Sequence, residues 1–202
     1  MDLYYNTKFN YLLSTKNNVK MIKAIAFDFV GVLVWEKEIP MTEIEDKIER
    51  LFGDLISDDQ FIHNARNIIK DKEEIISTAK WIIEKLYEIK NPTLFSEIKT
   101  LYPNIKILIA SNHVSYIRTF IENNFETKFI NDIIISAEIR RCKPNPDFFQ
   151  YILNSQKIQP SELLFLDDST RHIEWAKKIW ICTIKVEKEM NLLKEIKKVI
   201  EW

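Results

Sequence analysis

Glycine is nearly missing from this chain, at 2 of 202 residues. Ile, Lys and Asn are abundant, which fits a codon bias toward A and T. An Ile in place of Val therefore carries little meaning, and Gly31 carries more than an ordinary glycine would. Cysteine is as scarce. Cys142 and Cys182 lie 40 residues apart and match no metal-ligand spacing, so free thiols in a reducing cytosol are the expected state. The three histidines, His63, His113 and His172, form no ligand spacing either. They read as structural, although His113 and His172 lie beside polar segments and could line a pocket. No apolar run approaches the roughly 18 residues that span a bilayer. The first 20 residues hold Asp2, three lysines and four asparagines without an apolar core, so they do not read as a secretory signal. They read as an accessory extension, with Met21 as an alternative start. An excess of charge is lacking too. The 29 basic and 30 acidic residues leave a formal net charge of -1, which points to neither a nucleic-acid nor a membrane partner. A cytoplasmic protein is expected. There is no internal repeat and no low-complexity linker.

What is present is a soluble composition, 46% hydrophobic and 29% charged. The length suits one core domain with a small insertion. Residues 22–29 read as a strand closed by Gly31. Residues 38–89 read as all-helical. Ile44, Ile48, Leu51 and Phe52 mark one helix behind Thr42. Phe61, Ala65, Ile68 and Ile69 mark a second, behind Ser57 or Asp58. Ile75 through Tyr87 mark a longer third. Asn91-Pro92 closes this block. From there helix and strand alternate, with strands at 105–110, 132–136, 163–166 and 181–186. The helices between and after them run 93–102, 114–124, 146–156, 170–179 and 188–201. Strands separated by helices predict a doubly wound parallel α/β sheet. The predicted division is an extension at 1–20, an α/β core at 21–37 and 90–202, and a helical cap at 38–89.

Chemistry gathers where apolar runs end in polar groups. Ala24-Ile25-Ala26-Phe27 delivers Asp28, and an ionised carboxylate there needs a cation or hydrogen bonds to compensate it. Standing alone, Asp28 reads first as an acid that caps a turn and pairs with a lysine; the functional reading gains from Gly31, which lets the backbone turn tightly at the strand end. Ile107-Leu108-Ile109-Ala110 ends in Ser111-Asn112, which taken alone reads first as a helix N-cap and is compatible with holding an anionic oxygen. Lys143, in Lys143-Pro144-Asn145-Pro146, reads as a solvated lysine or as a cation held toward Asp28 and phosphate. Leu163-Leu164-Phe165-Leu166 ends in Asp167-Asp168. Two adjacent acids repel unless something positive lies near, and one helix cap needs only one acid. A hard cation meets the need, and Mg2+ is the usual one in phosphate sites.

Four segments in this order resemble the haloacid dehalogenase superfamily of phosphohydrolases, in the branch with a helical cap after the first strand. They are Asp28-Phe29-Val30-Gly31-Val32-Leu33, Ser111-Asn112, Lys143-Pro144-Asn145-Pro146-Asp147-Phe148-Phe149 and Phe165-Leu166-Asp167-Asp168-Ser169. Within it the chain looks most like bacterial sugar-phosphate phosphatases and the phosphatase domain of epoxide hydrolase-like proteins. The resemblance implies a Mg2+-dependent phosphatase acting on a small-molecule phosphate ester. Asp28 would form an aspartyl-phosphate, and Lys143 would offset the charge around it. Ser111 and the Asn112 backbone, with Lys143, would bind the phosphoryl group. Mg2+ would sit among Asp28, the Val30 carbonyl, Asp168 and Asp167, and the cap would close over the site.

Three positions depart from the family pattern. Val30 stands where a second Asp usually protonates the leaving oxygen, help worth roughly 100- to 10,000-fold, so a reduced rate is expected, with Glu36 and His113 as substitutes by hypothesis. His172 stands where relatives often carry Asn. Trp180 stands where they usually carry Gly, and the turn there is expected to differ locally. Val30 also admits a non-catalytic binding or regulatory protein. A metal-independent dehalogenase fits less well, because Asp167-Asp168 is kept.

Overall fold

A computed structural model describes residues 21–201; the extension expected at 1–20 lies outside them. Strand β1 (Ala24–Phe27) is the centre of a five-stranded parallel sheet. With β4 (Lys106–Ser111), β5 (Asp132–Ile135), β6 (Leu163–Asp167) and β7 (Cys182–Lys185), the strand order is β5-β4-β1-β6-β7. Chain order runs outward from β1 to one edge, then resumes on its other side. The crevice at the carboxyl ends of β1, β4 and β6 is therefore the topological switch point, where open α/β sheets bind ligands.

Period-two alternation gives β1 two different faces. Ile25 and Phe27 face a cluster with Ile107, Ile109, Leu164 and Leu166. That cluster is covered by α4 (Leu94–Leu101), α5 (Ile117–Asn124) and α9 (Leu192–Ile200) through Ile98, Phe120, Ile121 and Ile196. Ala24 and Ala26 face the other side, beneath α7 (Pro146–Gln156) and α8 (Thr170–Lys178), which contribute Phe148, Phe149, Ile152, Ile173 and Ala176. The small alanines leave room for the two phenyl rings, both fully buried. A short α6 (Ser136–Ile139) follows β5 directly.

The helical segment after β1 contains α1 (Glu43–Glu49), α2 (Asp58–Ala65) and α3 (Lys72–Leu86). Thr42 and Ser57 cap the first two through capping boxes with Glu45 and Gln60, and Asp71 caps the third. Two expectations fail here. The block is not all-helical: α3 stops at Leu86, and Tyr87 turns extended, at φ -98 and ψ 142. Tyr87–Ile89 then forms β3, which pairs antiparallel with β2 (Val34–Glu36). The chain thus leaves and re-enters the core through one two-stranded ribbon, each strand satisfying the other's backbone groups. Ile44 was expected on the apolar stripe but is 51% exposed, and the helix ends before Leu51 and Phe52, which pack from the following turn.

The turn before β7 also corrects an expectation. Trp180 keeps the left-handed conformation, at φ 67. The Ile181 N–H donates to the Ala176 carbonyl at 3.2 Å and the Trp180 N–H to that of Lys177 at 3.0 Å, the paired bonds of a Schellman ending. Closing the last carbonyls of α8 requires that geometry whatever residue occupies the position. The Trp180 side chain is 81% exposed, so little packing offsets the backbone cost. Trp180→Gly is expected to raise stability by about 1 kcal/mol, read as a higher urea midpoint at unchanged slope; a lower midpoint would mean that the indole packs usefully.

Candidate active site

The register of the sheet sets the site. Phe27 lies level with Ile109 of β4 and Leu166 of β6, so the next residues outward are Asp28, Ala110 and Asp167. The Asp28 N–H donates to the Leu166 carbonyl at 2.8 Å, which holds Asp28 in line with the sheet as it leaves it. Asp28, Asp167 and Asp168 each offer a carboxylate oxygen within 4.8 Å of the others.

Lys143, fully buried at its side chain, reaches in from the loop before α7. Its Nζ lies 2.6 Å from Asp28 Oδ1 and 2.9 Å from Asp167 Oδ2. The solvated-lysine alternative is therefore excluded. Asp167 is fully buried and committed to protein partners: besides Lys143 it accepts from the Ser169 N–H at 2.8 Å and lies 3.0 Å from His172 Nδ1. Asp28 takes both its contacts on Oδ1, from Lys143 and from the Phe29 N–H at 2.7 Å. Its Oδ2 takes no hydrogen bond among the described residues. Asp168 is exposed, and its carboxylate lies against Gly31. A Cβ built on Gly31 would fall 2.3 Å from Asp168 Oδ2, and Gly31 also sits at φ +83. The glycine is thus required twice, for conformation and for space.

Titration follows from these contacts. Burial is the largest influence on Asp28 and pushes it up to about 6, against the downward pull of Lys143, with the charge of Asp167 adding to the rise. Burial alone would also raise Asp167, but Lys143 and His172 outweigh it and hold that carboxyl below the ordinary range. Burial would lower Lys143, and the two carboxylates keep it raised instead. Burial pushes His113 down to about 4, and its Nε2 lies 2.9 Å from the Tyr87 hydroxyl. A neutral, engaged imidazole is a poor proton donor, so the expectation of His113 as a substitute acid is not supported. Glu36 ends β2 at the ribbon, where it pairs with Tyr87.

Ser111 ends β4 and is buried. The Asn112 side chain is spent on Lys143. Its Oδ1 accepts from the Lys143 N–H and its Nδ2 donates to the Lys143 carbonyl, both at 2.8 Å. Val30 brings no carboxylate; its neighbour Gly31 donates to the Val34 carbonyl at 2.8 Å as the chain turns into β2. Sequence reasoning missed two connections: the contact of His172 with Asp167, made across the turn from β6 into α8, and the amide clamp on Lys143, which spans 31 residues.

Three carboxylates face one ammonium, a formal excess of two negative charges. The donors are hard oxygens, and one from each of the three acids already lies within 4.8 Å of the others. That set fits a divalent cation of the Mg2+ kind.

The family model described as haloacid dehalogenase-like hydrolase matches residues 25–186. The chain belongs to the haloacid dehalogenase-like hydrolases. Among curated relatives of this family member, acyl-CoA dehydrogenase family member 10 of Mus musculus is 30% identical over 105 residues, which is 52% of this chain and 10% of that protein. Bifunctional epoxide hydrolase 2 of Rattus norvegicus is 31% identical over 67 residues, 33% of this chain and 12% of that protein. The matched segments thus span about a tenth of those relatives. A solved haloacid dehalogenase family enzyme from Bacteroides thetaiotaomicron, a variant in complex with magnesium and inorganic phosphate, superposes with a TM-score of 0.69 at 20% identity, covering 86% of this chain and 98% of that one. The doubly wound fold of haloacid dehalogenase-like hydrolases is therefore shared. Among the described residues, no helix is long and apolar enough to cross a membrane.

Replacing Gly31 tests the carboxylate arrangement. Gly31→Ala forces Asp168 aside and is expected to weaken Mg2+ binding about 10- to 100-fold, measured by titration calorimetry with the fold checked by circular dichroism. Unchanged affinity would remove Asp168 from the ligand set.

Proposed function

We propose that the chain is a Mg2+-dependent phosphatase of a small phosphate monoester that works through an aspartyl-phosphate on Asp28. The observation that carries this reading is the buried Lys143 ammonium, 2.6 Å from Asp28 and 2.9 Å from Asp167, beside a third carboxylate. Lys143 and the Phe29 N–H occupy Oδ1 of Asp28 and leave Oδ2 as the attacking atom. Attack by Oδ2 on phosphorus forms an acyl phosphate on Asp28 as the bond to the leaving oxygen breaks, and that oxygen takes any proton it needs from solvent. Water then attacks the same phosphorus, restores the Asp28 carboxylate and releases inorganic phosphate. The Ser111 hydroxyl and the Asn112 backbone are placed in this reading on the phosphoryl group, and Lys143 offsets the charge that gathers around it.

Asp28, Asp168 and the Val30 carbonyl, with Asp167 direct or through water, are the groups that would hold Mg2+. When bound it supplies positive charge to the phosphoryl oxygens and aligns the displacement. Magnesium and inorganic phosphate together in the Bacteroides thetaiotaomicron enzyme support this reading. The helical segment between β2 and β3 closes over the crevice and excludes water. A cytoplasmic setting belongs to the same reading, supported by two unpaired cysteines, Cys142 and Cys182.

Val30 holds no proton for the leaving oxygen, and the neutral His113 imidazole does not replace it. Turnover should then depend steeply on how well the leaving group departs unassisted. With Mg2+, the protein is expected to hydrolyse p-nitrophenyl phosphate, and Asp28→Asn to lower that rate at least about 1,000-fold. Val30→Asp should accelerate alkyl phosphates by about 100-fold or more while changing p-nitrophenyl phosphate little. Absence of turnover on p-nitrophenyl phosphate and on a panel of sugar and nucleotide monophosphates would contradict the phosphatase and leave a non-catalytic binding protein, the reading that Val30 favours.

A further inference from the structure

Asn112 follows the buried end of β4, next to the crevice, yet its side chain is turned to protein partners. A carboxamide has one acceptor oxygen and two N–H donors. The oxygen accepts from the Lys143 N–H at 2.8 Å. One donor goes to the Lys143 carbonyl at 2.8 Å and the other reaches Asp54 Oδ2 at 3.3 Å. One side chain therefore grips both backbone groups of the residue whose ammonium joins Asp28 and Asp167.

Asp54 belongs to the loop between α1 and α2, inside the helical segment. The same loop is pinned to the core a second time, where the Ser136 hydroxyl donates to the Asp54 carbonyl. The start of α2 is pinned as well, where the Ser115 hydroxyl donates to Asp58 Oδ1. Ser136 in turn accepts from the His113 N–H at 3.0 Å, one residue beyond Asn112. A continuous path of hydrogen bonds thus runs from the helical segment through Asn112 to Lys143 and the acids.

We infer that Asn112 is a positioning residue acting through Lys143, and that Asp54 makes this clamp depend on how the helical segment is seated. The role rests on the phosphatase reading above for its kinetic consequence, not for its structural one. Lys143 Nζ must hold two carboxylates at once, and a backbone shift of about 1 Å at such a centre costs on the order of 100-fold in rate. When the segment lifts, Asp54 leaves, the amide of Asn112 loosens and the ammonium loses its fixed seat. When the segment closes over a substrate, the seat is restored.

Two readouts on the intact protein decide it. The first is amide exchange of the Lys143 N–H by nuclear magnetic resonance, which needs no turnover. Asn112→Ala should speed it at least about tenfold and leave the Phe148 N–H, bonded to the Asn145 carbonyl at 3.0 Å, unchanged. Asp54→Ala should speed it a few-fold, and Asp54→Asn, which still accepts from Asn112, should restore the wild-type rate. The second readout is kinetic. Asn112→Ala should lower kcat on p-nitrophenyl phosphate about 10- to 100-fold and move the inhibition constant of inorganic phosphate less than about twofold. Unchanged Lys143 exchange in Asn112→Ala, or in Asp54→Ala, would overturn the inference. So would a phosphate inhibition constant that rises in step with the loss of kcat, because the side chain would then be a phosphate ligand. If the wild-type protein turned over no phosphate ester, the phosphatase would fail while the exchange measurements still decided the clamp.

Discussion

One ammonium holds this sheet edge together. Lys143 Nζ has no solvent-exposed side-chain surface, and Asp167 has none either. Each would be prohibitively costly to bury alone, and even as a pair they recover their lost hydration only through close, multiple hydrogen bonds. Asp167 has those bonds, from Lys143, Ser169 and His172. Asp28 has fewer, and burial, with the charge of Asp167, pushes its carboxyl up to about 6 despite Lys143. The imbalance is informative. Among the described residues Asp167 has the fullest set of partners, and in the proposed reading a bound cation would serve Asp28 and Asp168.

The scarcity of glycine sharpens this picture. Arg140, Lys157 and Trp180 all stand at positive φ, at 58, 56 and 67. The chain therefore tolerates side chains where a left-handed residue closes a helix, each at a cost of about 1 kcal/mol. At Gly31 it does not, since a Cβ there would collide with Asp168. Local backbone strain can be offset by the rest of the fold. A carboxylate displaced from an acid cluster cannot be offset in the same way, because the cluster works only as a group.

Much of the core and the acids was legible because β-strands write their burial directly into sequence. Runs such as Leu163–Leu166 are buried on both faces and end in the residues that face the crevice. Parallel pairing of β1 with β4 and β6 then brings Asp28 and Asp167 level. Other features were not legible, for physical reasons. β2 and β3 are three residues each, too short for a periodic signal, and they exist only because each supplies the other's hydrogen-bond partners. Ile44 carries an apolar side chain at helical spacing but faces solvent, since only packing decides which stripe is buried. The amide of Asn112 reads first as a helix cap and also admits an anion, and only the tertiary approach of Lys143 shows where its hydrogen bonds go. Trp180 shows the converse: a residue unsuited to a turn adopts it when the helix end needs closing.

The helical segment and the acids are thus parts of one device, joined through the β2–β3 ribbon on one side and the Asp54–Asn112 contact on the other. The family assignment fixes the hydrolase scaffold, on which this member carries Val30 beside Gly31 and places His172 against Asp167. The central claim is that a divalent cation completes the cluster. The most direct test is a crystal grown with Mn2+, with anomalous scattering recorded at the manganese edge. The account predicts a single strong peak within about 2.5 Å of carboxylate oxygens of both Asp28 and Asp168. A map with no peak there, or with manganese bound only elsewhere, would contradict it.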